Sequence, residues 1–312
     1  MSLNLGIIAS SRGTAAPPPS GLLLDAYPGA AAAYSLRKLR TAYTGPCIRC
    51  QRSLDNAQFD VGFDANGVID VALLVAACAG LNGFVAKWYD QSGNGIDAFT
   101  GAQPQIVVNG VVQTQNGKPA IIQTVTYAQY LETTYSFNLS TNKLASIFSV
   151  TKSTSDLSGN YYAMRRSGLA DYTSGLLLIA TDGGNLNRII LGRGAGGGSL
   201  GDSNLKDFTF DPTIQQLSSS HISTSSISIY KNANLQTLST SLGTMPLSDW
   251  LSTGSGNHNI ILGGRNYNNT NTPPVTDPTM RGNYQEFVFY LSNQLGNNTA
   301  IQNNINSYYS IY

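Results

Sequence analysis

Trp88-Tyr89-Asp90-Gln91-Ser92-Gly93-Asn94-Gly95-Ile96-Asp97-Ala98-Phe99 is the stretch that decides the fold of this chain. It continues Phe84-Val85-Ala86-Lys87, and the alternation over 84–89 is that of a half-buried strand. Gly93 and Gly95 supply the positive φ that a compact turn demands. Asp90, Ser92 and Asn94 carry oxygens that can fold back onto the turn's own amides. A strand running into a self-bonded structural turn made of Asp90, Ser92, Gly93, Asn94 and Gly95 is therefore expected. The same residues follow the oxygen-ligand spacing of a calcium loop with glycine in the sixth place. The twelfth place, which needs a bidentate glutamate, is Gly101, so the structural turn is preferred.

Outward from the turn, short apolar runs bounded by Gly, Asn and Ser clusters predict strands over 145–150, 222–230, 259–263 and 286–291. Helices are predicted over 29–40, opened by Pro28 with Leu36 and Leu39 on one face, over 69–79, and over 300–309. Many short strands with few helices point to a mainly β chain, an antiparallel sandwich. Residues 3–10 read as extended and are followed by Pro17-Pro18-Pro19, so 1–20 are expected to form an N-terminal arm and 21–312 one sandwich domain. In the arm, Leu3, Leu5, Ile7 and Ile8 offer apolar surface for docking on a partner's sheet edge.

Lys and Arg total 18 against 17 acidic residues, so no broad cationic field exists to hold nucleic acid or an anionic membrane. Charged residues make up 11% of the chain, well below the roughly 25% of ordinary domains; Asn, Ser, Thr, Gly and Tyr fill the surface instead. No run approaches the roughly 18 apolar residues of a membrane span, and 1–11 lack the pattern of a secretion signal. Cys47, Cys50 and Cys78 cannot all pair with one another and read as free thiols. Cys47-Ile48-Arg49-Cys50 has no second pair to complete a zinc site, and His221 and His258 are distant in sequence. Neither a metal nor a cofactor is expected.

Three blocks resemble the catalytic domain of fungal α-L-arabinofuranosidase B and the related lectin-like domains of bacteriophage structural proteins. They are Leu24-Asp25-Ala26-Tyr27 through Arg52-Ser53-Leu54-Asp55-Asn56, then Tyr89 to Gly95 with Gly117-Lys118-Pro119-Ala120, and last Ile260-Ile261-Leu262-Gly263-Gly264 with Tyr284-Gln285-Glu286 and Asn303-Asn304-Ile305. The resemblance implies a concanavalin A-like jelly roll of the LamG kind. A retaining glycosidase needs two carboxyls about 5 Å apart. By the resemblance, the position of the family's acid, after Gly263-Gly264, is Arg265, and the nucleophile position is Gly183, with Asp182 one place away. A catalytically silent relative, not an enzyme, is the expectation.

Gly192-Arg193-Gly194-Ala195-Gly196-Gly197-Gly198 lacks the β-α-β context of a dinucleotide site, and no G-x-S-x-G elbow exists for a serine hydrolase. The polar loop over 265–274 mixes amides with an aromatic ring, a combination that suits sugars, which makes Arg265, Asn266, Tyr267 and Asn269 candidates for carbohydrate binding. The sequence thus reads as a bacteriophage virion protein, a tail or head fibre, appendage or decoration component made in the host cytoplasm. Its expected partners are other virion proteins and further copies of itself, and its expected ligand is a host-surface glycan. The alternatives are a glycoside hydrolase of the arabinofuranosidase type and a decoration subunit without ligand.

Overall fold

A computed structural model describes residues 21–99, 103–124, 129–134, 136–153, 160–166, 175–179, 186–193, 203–209, 211, 213–240, 245–252, 256–264 and 281–312. The fold is mainly β with few short helices; apart from the small ribbon of Thr114–Gln115 and Lys118–Pro119, its antiparallel strands form one continuous network, two sheets joined at a corner. In the first sheet, Gly282–Tyr290 is central. It pairs with Ala145–Ser153 on one side and with Ala32–Ser35 and then Ile121–Gln123 on the other. Ala145–Ser153 extends the sheet through Gln216–Ile222 to Ile227–Lys231.

The second sheet runs from Gln58–Val61 through Ile48–Arg52, Gly83–Trp88, Ala98–Phe99 and Leu131–Glu132 to His258–Leu262. It continues through Asn160–Arg166, Leu176–Ile179 and Leu186–Gly192 to Ser203–Thr209. Gln105–Val108 pairs with both Gly83–Trp88 and Ile121–Gln123 and so joins the sheets at one corner.

Side-chain alternation then sorts the residues into layers. Phe287 and Phe289 point between the sheets into a core with Tyr34, Trp88, Tyr162 and Tyr284, where the Trp88 ring lies 5.9 Å from both Tyr34 and Tyr284. Val288 and Tyr290 point the other way, into a cluster with Phe148, Val150 and Leu217 that Ile301, Ile305 and Tyr309 of the terminal helix Asn298–Tyr309 cover. A third, smaller cluster of Ala163, Ile190, Leu205 and Ile261 lies on the outer face of the second sheet.

Two predicted elements differ. Residues 29–40 are extended rather than helical: Ala32, Ala33 and Tyr34 alternate between the two large clusters, and Ala32–Ser35 pairs with Phe289 to Glu286. Alanine's helical preference is worth well under 1 kcal/mol per residue, and pairing with the central strand outweighs it. The single strand expected over 222–230 is a hairpin, turned by the serine cluster in which Ser223 N–H donates to Ser226 C=O at 2.9 Å. The helix Val71–Cys78 is capped by Asp70, which accepts from Leu73 N–H, and stops where Ala79 turns left-handed at φ 51°. Cys47, Cys50 and Cys78 are buried free thiols.

Candidate active site

The turn after Gly83–Trp88 locks the site's scaffold together. Asp90 is buried and its Oδ1 accepts from Ala33 N–H and Ser92 N–H, both at 2.9 Å, while its Oδ2 accepts from Ser92 Oγ at 2.7 Å and Ile96 N–H at 3.1 Å. Gln91 donates to the carbonyls of Ser35 and Arg37 and accepts from Leu39 N–H. Asn94 donates to the carbonyls of Ala30 and Ala31, each at 3.0 Å. Gly93 and Gly95 hold φ of 97° and 71°, and a Cβ at Gly93 would come within 2.2 Å of Arg40 Nη1. The Asp90 oxygens that would ligate a cation are thus taken up by N–H and O–H donors of the same chain. Among the described residues no three His, Cys, Asp or Glu side chains converge in a way that would hold a metal ion.

From this turn the chain enters Ala98–Phe99, which brings Phe99 beside Glu132, and Glu132 in turn beside Ile261. Leu131 is fully buried toward the core, so alternation puts Glu132 on the outer face of the second sheet. There Asn259 Nδ2 donates to Glu132 Oε2 at 3.2 Å, and Arg165 stands opposite Asn259 in the register. Burial pushes the Glu132 carboxyl up from its ordinary 4.5 to about 7, against the opposing pull of the Arg165 charge and the Asn259 hydrogen bond. A carboxyl in that range still carries its proton near neutral pH, the state a general acid needs.

The same face carries a polar and aromatic row on its other strands. Arg49 forks onto Asp60 at 2.8 and 2.9 Å, Tyr89 donates its hydroxyl to Asp60 Oδ1 at 2.8 Å, and Lys87 meets Asp97 at 3.2 Å. Phe99 is 42% exposed among them. Sequence reasoning set Glu132 aside, because it lies away from the positions at which the resemblance puts the family's carboxylates. A two-residue strand carries no period, so nothing local in the sequence singled it out.

The described stretches ending at Ile179 and Gly264 flank Asn160–Arg166 and run out at the same end of it, since Ile179 pairs with Asn160 and Leu262 with Tyr162. Glu132, beside Ile261, stands level with Ala163 at the middle of that strand. Asp182, Gly183 and Arg265, which bear on the family's carboxylate positions, follow these stretches in sequence and lie outside the described residues. So do the candidate sugar-binding residues Arg265, Asn266, Tyr267 and Asn269 and the arm residues Leu3, Leu5, Ile7 and Ile8.

The sequence profile of the α-L-arabinofuranosidase B catalytic domain matches residues 25–160, a span that contains the turn, the polar row and Glu132. Over 92 residues the chain is 36% identical to α-L-arabinofuranosidase B of Aspergillus oryzae and, to the same extent, to a probable α-L-arabinofuranosidase B of Aspergillus flavus; the match covers 29% of this chain and 18% of each relative. An arabinofuranosidase solved with arabinofuranosyl-α-1,2-xylobiose shares the fold, at 15% identity and a TM-score of 0.52, over 91% of this chain and 64% of that one. A second, solved with 4-nitrophenyl α-L-arabinofuranoside, is alike at 16% identity and a TM-score of 0.52, again over 91% and 64%. These findings overturn four expectations: the bacteriophage fibre or decoration protein, its placement in a virion, the lectin-like role that went with it, and the absence of catalysis. The inference of a silent site had rested on Gly183 and Arg265 at the resembling positions, with Asp182 one place away and both glutamates elsewhere. The family to which the chain is similar, in sequence over 25–160 and in fold over most of its length, is that of the α-L-arabinofuranosidases.

Proposed function

We propose that this chain is a glycoside hydrolase that removes α-L-arabinofuranosyl groups from a polysaccharide, with Glu132 as the proton donor to the leaving oxygen. The observation that carries this reading is the match of residues 25–160 to an arabinofuranosidase catalytic domain, within which Glu132 keeps its carboxyl protonated to about pH 7. Glycoside hydrolysis needs such an acid together with a second carboxylate on the other side of the scissile bond. The resemblance puts Gly183 and Arg265, which carry no carboxyl, at the family's two catalytic positions, so this reading takes the acid from elsewhere in the chain. Asp182, next in sequence to Gly183, is the second carboxylate of this reading.

The test is release of 4-nitrophenol from 4-nitrophenyl α-L-arabinofuranoside by the purified chain. Wild type turns over, and Glu132→Gln and Asp182→Asn each lose about a hundredfold or more in kcat/KM while remaining folded. Loss of rate above about pH 7 in wild type marks deprotonation of the acid. No turnover by the folded wild type at any pH would sink the reading, and full activity in Glu132→Gln would remove Glu132 from it.

A further inference from the structure

A shallow groove of about 370 Å³ opens at the corner of the second sheet where Ile48–Arg52 meets Gly83–Trp88, lined by Gln51, Ser53, Asn56, Phe84 and Gln103. We propose that it is a second saccharide-binding subsite for a neutral oligosaccharide, separate from the Glu132 end of the sheet. Its floor is a cross-strand row in which Gln58 pairs with Gln51, Gln51 with Phe84, and Phe84 with Gln105. Phe84 is only partly buried, so one part of its ring remains open to a ligand.

Around the ring the amides hold one another in place. Gln51 Oε1 accepts from Gln58 Nε2 at 2.9 Å and Gln103 Nε2 at 3.0 Å, and Gln51 Nε2 donates to Asn56 Oδ1 at 2.9 Å. Each primary amide has two N–H donors and a two-lone-pair oxygen. This network therefore leaves the Asn56 Nδ2 donors, the Gln103 oxygen and the Gln58 oxygen for other partners. An apolar ring beside fixed amide donors and acceptors suits a pyranose or furanose, whose C–H face packs on the ring while its hydroxyls pair with amides. Among the described residues no charged side chain lines the groove, which selects a neutral sugar over a uronic acid.

Phe84 and Gln51 share the outer face with Lys87, Phe99 and Glu132. From the strand spacings, Phe84 lies roughly 14 Å from Glu132, three residues along and two strands across. That separation fits one sugar chain engaging both places, and this last clause alone rests on the proposed hydrolase activity.

The experiment titrates a linear xylo-oligosaccharide, a linear arabino-oligosaccharide and an oligogalacturonate into the wild-type chain and into Phe84→Ala and Gln51→Ala. Binding is read from amide chemical shifts, and hydrolysis of the aryl arabinofuranoside is followed in parallel. The expected result is that at least one neutral probe shifts amides of residues 51–58 and 84, that the charged probe does not, and that each variant weakens binding about tenfold with the fold and the aryl glycoside rate unchanged. Binding lost in Phe84→Ala but kept in a Phe84→Tyr variant supports ring stacking. Unchanged affinity in both alanine variants, shifts confined to other parts of the sheet, or no binding of any neutral probe would overturn the subsite. A chain that binds at the groove yet hydrolyses nothing would keep the subsite and discard the hydrolase.

Discussion

The chain has two glutamates, on the outer faces of opposite sheets; each stands near an arginine, but they differ in how many donors reach the carboxyl group. Glu286 is buried under the terminal helix and accepts from Arg37 Nε at 2.8 Å, Arg37 Nη2 at 3.0 Å, Ser35 Oγ at 2.7 Å and Tyr309 Oη at 3.3 Å. Arg37 is held further by Asn304, and its guanidinium lies over the rings of Tyr308 and Tyr309. Glu132 has Asn259 as its hydrogen-bonded partner, and burial rather than pairing governs its carboxyl. A carboxylate surrounded by donors ties elements together; one left with a single amide and little water keeps a transferable proton. The number of glutamates says nothing about catalysis here, but their surroundings do.

The largest effect that could break this comparison is at Glu286. Glu286→Ala leaves Arg37 buried without its counter-ion and should cost about 3–5 kcal/mol in urea unfolding. A loss under 1 kcal/mol would mean the pair is not structural. Glu132→Gln should do the reverse, lowering kcat/KM by about a hundredfold, or about 2.7 kcal/mol of transition-state stabilisation, with the unfolding midpoint unchanged or raised. Destabilisation comparable to Glu286→Ala would make Glu132 a structural group instead.

pH sharpens the contrast further. The folded Glu132 holds its proton up to about 7, above its ordinary 4.5, so its contribution to stability is fully present below 4.5 and is lost as pH rises to about 7. Wild type should therefore lose stability over that window by an amount that Glu132→Gln lacks, read from melting temperatures at several pH values. The smallest effect concerns Lys231, whose ammonium is pulled by burial from 10.5 to about 7. Its folded value is depressed, so the cost of burying it grows as pH falls from 10.5 toward 7. Lys231→Met should raise stability at pH 7 by about 1 kcal/mol and by less at pH 10. A variant less stable than wild type at pH 7 would show that Lys231 is well satisfied where it sits.

Much of the sandwich was legible because its strands carry strong punctuation. Asp90 to Gly95 announces a turn by residue type alone, and Glu286 to Tyr290 alternates cleanly between Phe287 and Phe289 on one side and Val288 and Tyr290 on the other. Alanine defeats such reading at 29–40, because a small apolar residue fits a helix face and a crowded central strand equally well. The site was less legible. Resemblance drew attention to the family's carboxylate positions, whereas Glu132 sits in a two-residue strand with too few neighbours to show a period. What raises its carboxyl is burial among strands far away in sequence, against the opposing pull of Arg165 and Asn259.

The position of Gly282–Tyr290 at the centre of the first sheet also has a temporal meaning. Its partners Ala32–Ser35, Ile121–Gln123 and Ala145–Ser153 are all made long before it, and none of them pairs with another across the gap it fills. During synthesis these strands wait with open edges while more than a hundred further residues are added, a topology that folds slowly and exposes pairing-competent backbone to other chains. The closing strand therefore sets when the chain stops being prone to aggregation, and yield on expression should depend more on chaperones and temperature than the stability of the finished sandwich would suggest.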